Sequence, residues 1–185
     1  MEAAFTIAEV AAFSGVDERQ VRNELEQNVL EADRDLRLSF AAIVYLRLLQ
    51  VASVEPREIG PSLRVDIYRD LARALSEKPR PREISPRKLI ALRISEPVRE
   101  TEDRIERFMK WSQRLVRDEA IKGGEPVFPK SRLDVRHVGE LLLRNDAADA
   151  RDELREDYPY LTDEDLEFAP LFVKAYPRVG RPTAA

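Results

Sequence analysis

Cysteine is absent from this chain. Its absence excludes disulfides and thiol chemistry and fits a reducing, cytoplasmic setting. Histidine occurs once, at His137. A lone imidazole leaves no paired-histidine metal site, and no Gly-rich phosphate loop is present. Long apolar runs are missing too: none reaches the ~20 residues that a membrane helix needs. The start, Met1-Glu2-Ala3-Ala4-Phe5, lacks the basic region and apolar core of a signal peptide. Lysine is scarce, six of 31 basic residues, so most of the positive charge is guanidinium. Arginine favours bidentate contacts with carboxylates or phosphates over a diffuse cationic cloud.

What is present is charge, 36% of 185 residues, beside an ordinary 43% of hydrophobic ones. That length suffices for one core or two small ones. The net charge of −4 hides an uneven distribution. Residues 1–56 carry five Arg against ten acids, and residues 57–117 carry sixteen Arg or Lys against ten acids. Residues 140–168 carry three Arg against eleven acids, whereas residues 169–185 hold Lys174, Arg178 and Arg181 with no acid. A basic middle and tail can meet anionic partners; acidic segments are poor covers for a DNA backbone.

Hydrophobic periodicity and capping residues predict a mainly α fold. Thr6 caps a short helix, Ile7 to Phe13, with Ile7, Val10 and Ala11 on one face. Ser14-Gly15-Val16 forms a turn, and Asp17 caps a second helix with Val21 and Leu25 inward. This is the pattern of a helix-turn-helix. The run Thr6-Ile7-Ala8-Glu9-Val10-Ala11, then Gly15-Val16 and Val21-Arg22, resembles the helix-turn-helix of MerR-type regulators. The resemblance covers about twenty residues. Residues 30–38 read as a wing-like hairpin, and Ser39 caps a helix apolar nearly all round, hence buried.

The middle reads as a linker, residues 56–61, then a helix from Leu63 to Glu77. Residues 78–88 hold five positive charges against Glu83, either an arm touching phosphates or a Pro-stiffened solvated linker. Alternation over residues 88–95 predicts one half-buried strand, Ile90, Leu92 and Ile94 on one side. Unpaired, it could join a symmetry mate in a dimer. Ser95 caps a helix with Val98, Ile105, Phe108, Met109 and Leu115 inward. Beyond Gly123-Gly124, Val127-Phe128 predict a short strand. Asp134 caps a helix, residues 149–157 form another, and Thr162 caps the last. Leu161 and Leu166 stand at hydrophobic-staple positions, and Pro170 is expected to kink that helix.

The last third carries the more specific resemblance. Gly124-Glu125-Pro126-Val127-Phe128, then Lys130-Ser131-Arg132, then Asp157-Tyr158-Pro159-Tyr160-Leu161-Thr162 occur in that order. Together they resemble the VapB-like antitoxin family designated domain of unknown function family 433. There a Gly-x-Pro-Val strand leads to a Gly-Thr-Arg turn, and Asp-Tyr-Pro-x-Leu-Thr opens the last helix. Arg132, Asp157, Tyr158, Pro159, Leu161 and Thr162 match structural positions of that motif. Lys130 and Ser131 stand where Gly and Thr are expected, and Asn145-Asp146 where a Gly is expected before the second helix. The resemblance implies a C-terminal trihelical, homeodomain-like antitoxin domain. It further implies a bacterial type II antitoxin that inhibits a PIN-like ribonuclease toxin and represses its own operon.

The expected organisation is therefore fourfold: a winged helix-turn-helix (1–55), a helical and strand segment for dimerisation (56–122), an antitoxin domain (123–176) and a flexible basic tail (177–185). For operator DNA the candidates are Arg19, Gln20, Arg22 and Asn23. Gln and Asn suit adenine edges and Arg suits guanine. Asp17, Glu18, Glu24 and Glu26 argue the other way, since carboxylates beside phosphates are repelled. For the toxin the candidates are Lys174, Arg178 and Arg181, cations suited to the acidic, metal-holding cluster that the resemblance implies in such a toxin. A homodimer or a hetero-oligomer with toxin is expected, with no cofactor, no catalysis and no membrane. The acids at 152–157 and 163–167 read as a solvated helix face and as helix-dipole partners rather than metal ligands. The alternative function is a stand-alone MerR-like transcriptional regulator without a toxin partner.

Overall fold

The computed structural model describes residues 5–52, 58–120, 122–144 and 147–178. The fold is mainly α: the described residues form eight α-helices and one two-stranded sheet. Two compact units divide the chain, Met1–Ile105 and Glu106–Ala185.

In the first unit, Thr-x-x-Glu starts α1 (Ile7–Ser14) as a capping box. The Thr6 hydroxyl accepts from the Glu9 amide at 3.1 Å, and the Glu9 carboxylate accepts from the Thr6 amide at 2.8 Å. Gly15 closes α1 at φ 83°, a left-handed conformation that a side chain resists. Asp17 then accepts from the Gln20 amide at 2.7 Å and opens α2 (Glu18–Glu26). Val21 is fully buried, Leu25 partly so. α3 (Phe40–Val51) is buried on nearly every side, as its composition predicts; Ala41 through Leu46 are all inaccessible. α4 (Pro61–Ser76) begins on its proline, whose missing amide is no loss at a helix start. It buries Ile67, Tyr68, Leu71 and Ala74.

Two expectations in this unit are corrected. The hairpin over residues 30–38 reduces to single bridges, Ala32 to Leu38 and Phe5 to Leu38. Its tip is held by the Asp33 carboxylate, which accepts from the amides of Asp35 and Arg37 at 2.9 and 2.8 Å. The free strand over 88–95 is instead a hairpin: β1 (Glu83–Ile84) pairs antiparallel with β2 (Leu92–Arg93), with Glu83 opposite Arg93 and Ile84 opposite Leu92. Pro86 and two left-handed residues, Arg87 and Lys88 at φ 52° and 56°, interrupt the extended run. Ile94 is buried, but Ile90 is not, and Leu89 is 76% exposed. The pairing expected from a symmetry mate is thus made within the chain. α5 (Ser95–Ser112) follows, its first eleven residues in this unit.

The second unit is built on the end of α5 and on α6 (Val135–Arg144), α7 (Ala147–Asp157) and α8 (Asp163–Ala175). Phe108 and Trp111 are buried, while Met109, expected inward, is 46% exposed, and Leu115 lies beyond the helix end. Trp111, three residues beyond Phe108 and so on the same helix face, takes the inward position. Phe108, Trp111, Phe168 and Phe172 form an aromatic cluster with ring centroids 5.6 to 6.2 Å apart. Val127 makes bridges rather than a strand, to Val116 and Asp134. Asp134 opens α6, accepting from the Arg136 amide at 2.7 Å. Leu161 and Leu166 are both buried, as staple positions require. Pro170 lies inside α8, which continues past it to Ala175.

α6 and α8 cross closely at Gly139. A Cβ there would lie 2.3 Å from the Ala169 carbonyl oxygen and 2.6 Å from Val173 Cγ2. A helix-interior glycine costs about 1 kcal/mol relative to alanine. Here it allows two backbones to touch.

Candidate functional site

On α2, Arg19, Arg22 and Asn23 are exposed and Gln20 is partly so. Arg22 is tied to Glu18 at 3.0 Å along the helix. Arg19, Gln20 and Asn23 line a cleft of about 460 Å³, walled on the α4 side by Gly60, Pro61 and Arg64. Three of the four residues expected to read DNA therefore share one concave surface.

Beneath this face lies a buried polar network that periodicity did not disclose. Arg64 and Glu24 form an ion pair with side chains 4% and 1% exposed. Tyr45 donates to the second Glu24 oxygen at 3.0 Å; Arg64 also donates to Gln27 and, at 3.1 Å, to the Ile59 carbonyl. Burial raises the Glu24 carboxyl above its ordinary value, against the opposing pull of Arg64 and the Tyr45 hydrogen bond. Burial, reinforced by Glu24, pushes the Tyr45 hydroxyl up as well. Glu24 was expected among the carboxylates that repel phosphates. It points inward, and its charge is matched there. Asp17 is engaged as a cap and Glu18 as the Arg22 partner, which leaves Glu26 exposed.

In the second unit the motif residues form a corner between α7 and α8. Asp157 ends α7; the Tyr158 amide donates to Leu154 and its carbonyl accepts from Leu161, both at 2.9 Å. Pro159 and Tyr160 are exposed, and the Tyr158 and Tyr160 rings meet edge to face at 6.1 Å. Thr162 accepts from the Asp165 amide at 3.2 Å, and the Asp165 carboxylate returns the contact to the Thr162 amide at 2.8 Å. The other Asp165 oxygen accepts from the Trp111 indole at 2.7 Å.

The acids opening α8 are held by arginines of the same unit. Arg107 lies 2.6 Å from Glu167 and over the Phe168 ring at 5.1 Å, and Arg114 lies 3.3 Å from Glu164. Among the described residues no group of three or more His, Asp or Glu is placed to hold a metal ion. His137 is exposed on α6.

In the turn at 130–132 Lys130 adopts φ 59°, a left-handed conformation that glycine takes without strain. Arg132 is exposed. Asn145 and Asp146 lie outside the described residues, and so does Arg181. Lys174 is exposed on α8. Arg178, its side chain 59% exposed, lies 3.6 Å from Glu125 and 4.0 Å from Asp134. Arg136 anchors the chain just before it: it donates to the Tyr176 carbonyl at 2.5 Å, pairs with Glu125 at 3.1 Å and lies over the Phe172 ring. The sequence reading missed Arg136, Trp111 and Gly139. Two signals were available: Trp111 is the only tryptophan, and Gly139 stands mid-helix beside the apolar stripe of Val135, Val138 and Leu142.

No curated protein and no solved structure matches the chain. Residues 115–173 match the model of a family described as "Protein of unknown function (DUF433)", a match that begins just after α5 and ends within α8.

Proposed function

We propose that the chain is an antitoxin of a bacterial type II toxin–antitoxin system. In this reading the second unit binds and inhibits a PIN-like ribonuclease toxin, and the first binds operator DNA to repress the operon. It acts by binding alone, without catalysis or cofactor. The observation that carries the proposal is the family match over residues 115–173, together with the corner from Asp157 to Thr162. The antitoxin role itself comes from the resemblance of those motif residues to VapB-like sequences.

Lys174, Arg178 and Arg181 are the toxin-facing cations of this proposal. Arg178, itself largely exposed, contacts Glu125 and Asp134 only at 3.6 and 4.0 Å. Exposed pairs of that kind contribute about 0–1 kcal/mol. A desolvated cluster of toxin carboxylates offers shorter, charge-assisted and bidentate bonds, so Arg178 can exchange partners on binding.

The test is purification of the tagged chain from its own host, with the co-purifying protein identified and assayed for RNA cleavage. A small stoichiometric partner that cleaves RNA only after this chain is stripped away is expected. Deleting everything after Tyr176 should then weaken inhibition. Finding no partner while the chain alone binds its operator would overturn the proposal in favour of a stand-alone regulator.

A further inference from the structure

Residues 78–99 hold seven Arg or Lys against Glu83 and Glu96. Two of the seven are neutralised locally: Arg80 by Glu102 and Arg87 by Asp66, each at 2.5 Å. Lys78, Arg82, Lys88, Arg93 and Arg99 are exposed and make no ion pair among the described residues. The β1–β2 hairpin distributes them. Arg93 stands opposite Glu83 on the exposed side of the ladder, while the Ile84 and Leu92 pair turns toward the core. Lys88 lies in the connection between the strands. Arg82 is drawn to the start of α5, because its carbonyl accepts from the Ile94 and Ser95 amides at 2.9 and 3.3 Å.

At that point Arg80, Arg82 and Arg99 line one small cleft of about 180 Å³, whose apolar side is Leu75, Ile94 and Val98 and whose one carboxylate, Glu102, is the partner of Arg80. Like charges gathered around one cleft repel one another, and only one of the three has a carboxylate. The fold therefore keeps a cationic surface that an anionic partner would complete. A phosphodiester strand presents one charge per nucleotide at regular spacing. The guanidinium fork matches phosphate oxygens two at a time. The cleft has room for one phosphate, and its apolar side suits the adjoining sugar.

We propose that the β1–β2 hairpin and the start of α5 are a phosphate-backbone clamp for double-stranded DNA, separate from the α2 face. This rests on the DNA-binding half of the function proposed above. The clamp would supply sequence-independent affinity and leave base reading to Arg19, Gln20 and Asn23.

The experiment titrates a fluorescently labelled mixed-sequence duplex with the full chain over a series of salt concentrations. The variants are Arg82→Ala/Arg99→Ala, Lys88→Ala/Arg93→Ala and, on α2, Arg19→Ala/Asn23→Ala. Each phosphate contact removed should lower the slope of log affinity against log salt by about 0.9. Each clamp variant should therefore lose nearly two units of slope, while Arg82→Lys/Arg99→Lys keeps most of it. An unchanged slope in both clamp variants, with binding lost in the α2 variant, overturns the clamp and leaves the DNA reading standing. Failure of the unaltered chain to bind either this duplex or its operator overturns both. Displacement of the duplex by polyglutamate as readily as by unlabelled DNA would also overturn the clamp, marking this face as one for an acidic protein.

Discussion

Among the described residues each unit buries one carboxylate, and the two are satisfied in different ways. Glu24 is inaccessible, and its partners Arg64 and Tyr45 lie 40 and 21 residues away in sequence. Asp165 is 6% exposed, and half of its bonding is local, to Thr162 three residues earlier. From a distance the Trp111 indole, 54 residues away, donates to it at 2.7 Å, and the Arg114 guanidinium lies 3.7 Å off. A carboxylate at a helix start can be recognised from the Thr-x-x-Asp spacing. One in mid-helix that faces a buried guanidinium has no local signature.

The comparison predicts unequal costs. Glu24→Ala should be the most severe, roughly 3–5 kcal/mol, because it strands Arg64 as an unpaired buried charge. Denaturant unfolding measures it. Replacing both partners with apolar residues, Glu24→Leu with Arg64→Met, should recover much of the loss. Failure to recover would mean that the pair also specifies the packing of α2 against α4.

Gly139→Ala comes next, at up to about 3 kcal/mol, since overpacked cores must shift backbone to make room. A thermal melt should show it as a marked drop. An unchanged melt would mean that α6 and α8 separate at little cost. Thr162→Ala removes the local half of the Asp165 network and should cost about 1 kcal/mol, the usual value of an N-cap. Equal losses from Thr162→Ala and Glu24→Ala would erase the distinction between local and long-range satisfaction.

Lys130→Gly should act in the opposite direction and stabilise by about 1 kcal/mol, because a left-handed conformation costs a side chain roughly that much. A stability curve in urea would register the gain. The smallest effect is a slope with pH. The Glu24 carboxyl is raised above its ordinary 4.5 in the folded chain. The folded state then holds this proton more tightly than the unfolded one. The associated stability is fully present below pH 4.5 and is lost as pH rises through the raised value. Glu24→Gln should flatten that decline in stability measured across the acid range.

Much of the helical plan was legible because its signals are local. Thr6, Asp17, Asp134 and Thr162 each cap the helix that their spacing announces, and the all-round apolar run after Ser39 is buried. The failures share a cause. Residues 88–95 alternate like one strand, but the positive φ of Arg87 and Lys88 and the partner strand at Glu83–Ile84 depend on the folded neighbourhood. Met109 and Trp111 both fit a helical stripe, and only the aromatic cluster chooses between them. At the candidate sites, the residue types on α2 and near the C-terminus were readable. The inward turn of Glu24 and the Glu125 contact of Arg178 were not.

By itself, the sequence determined where helices begin, which stretches carry excess charge, and which motif occupies the last third, since capping, composition and spacing are properties of neighbouring residues. Tertiary structure decided which charges are spent internally and which remain for a partner. Arg64, Arg107 and Arg136 are bound within their own units, whereas Arg82, Lys88, Arg93 and Arg99 stay exposed. That division depends on distances between residues far apart in the chain. A guanidinium is neutralised only by a carboxylate that the fold brings within a few ångströms.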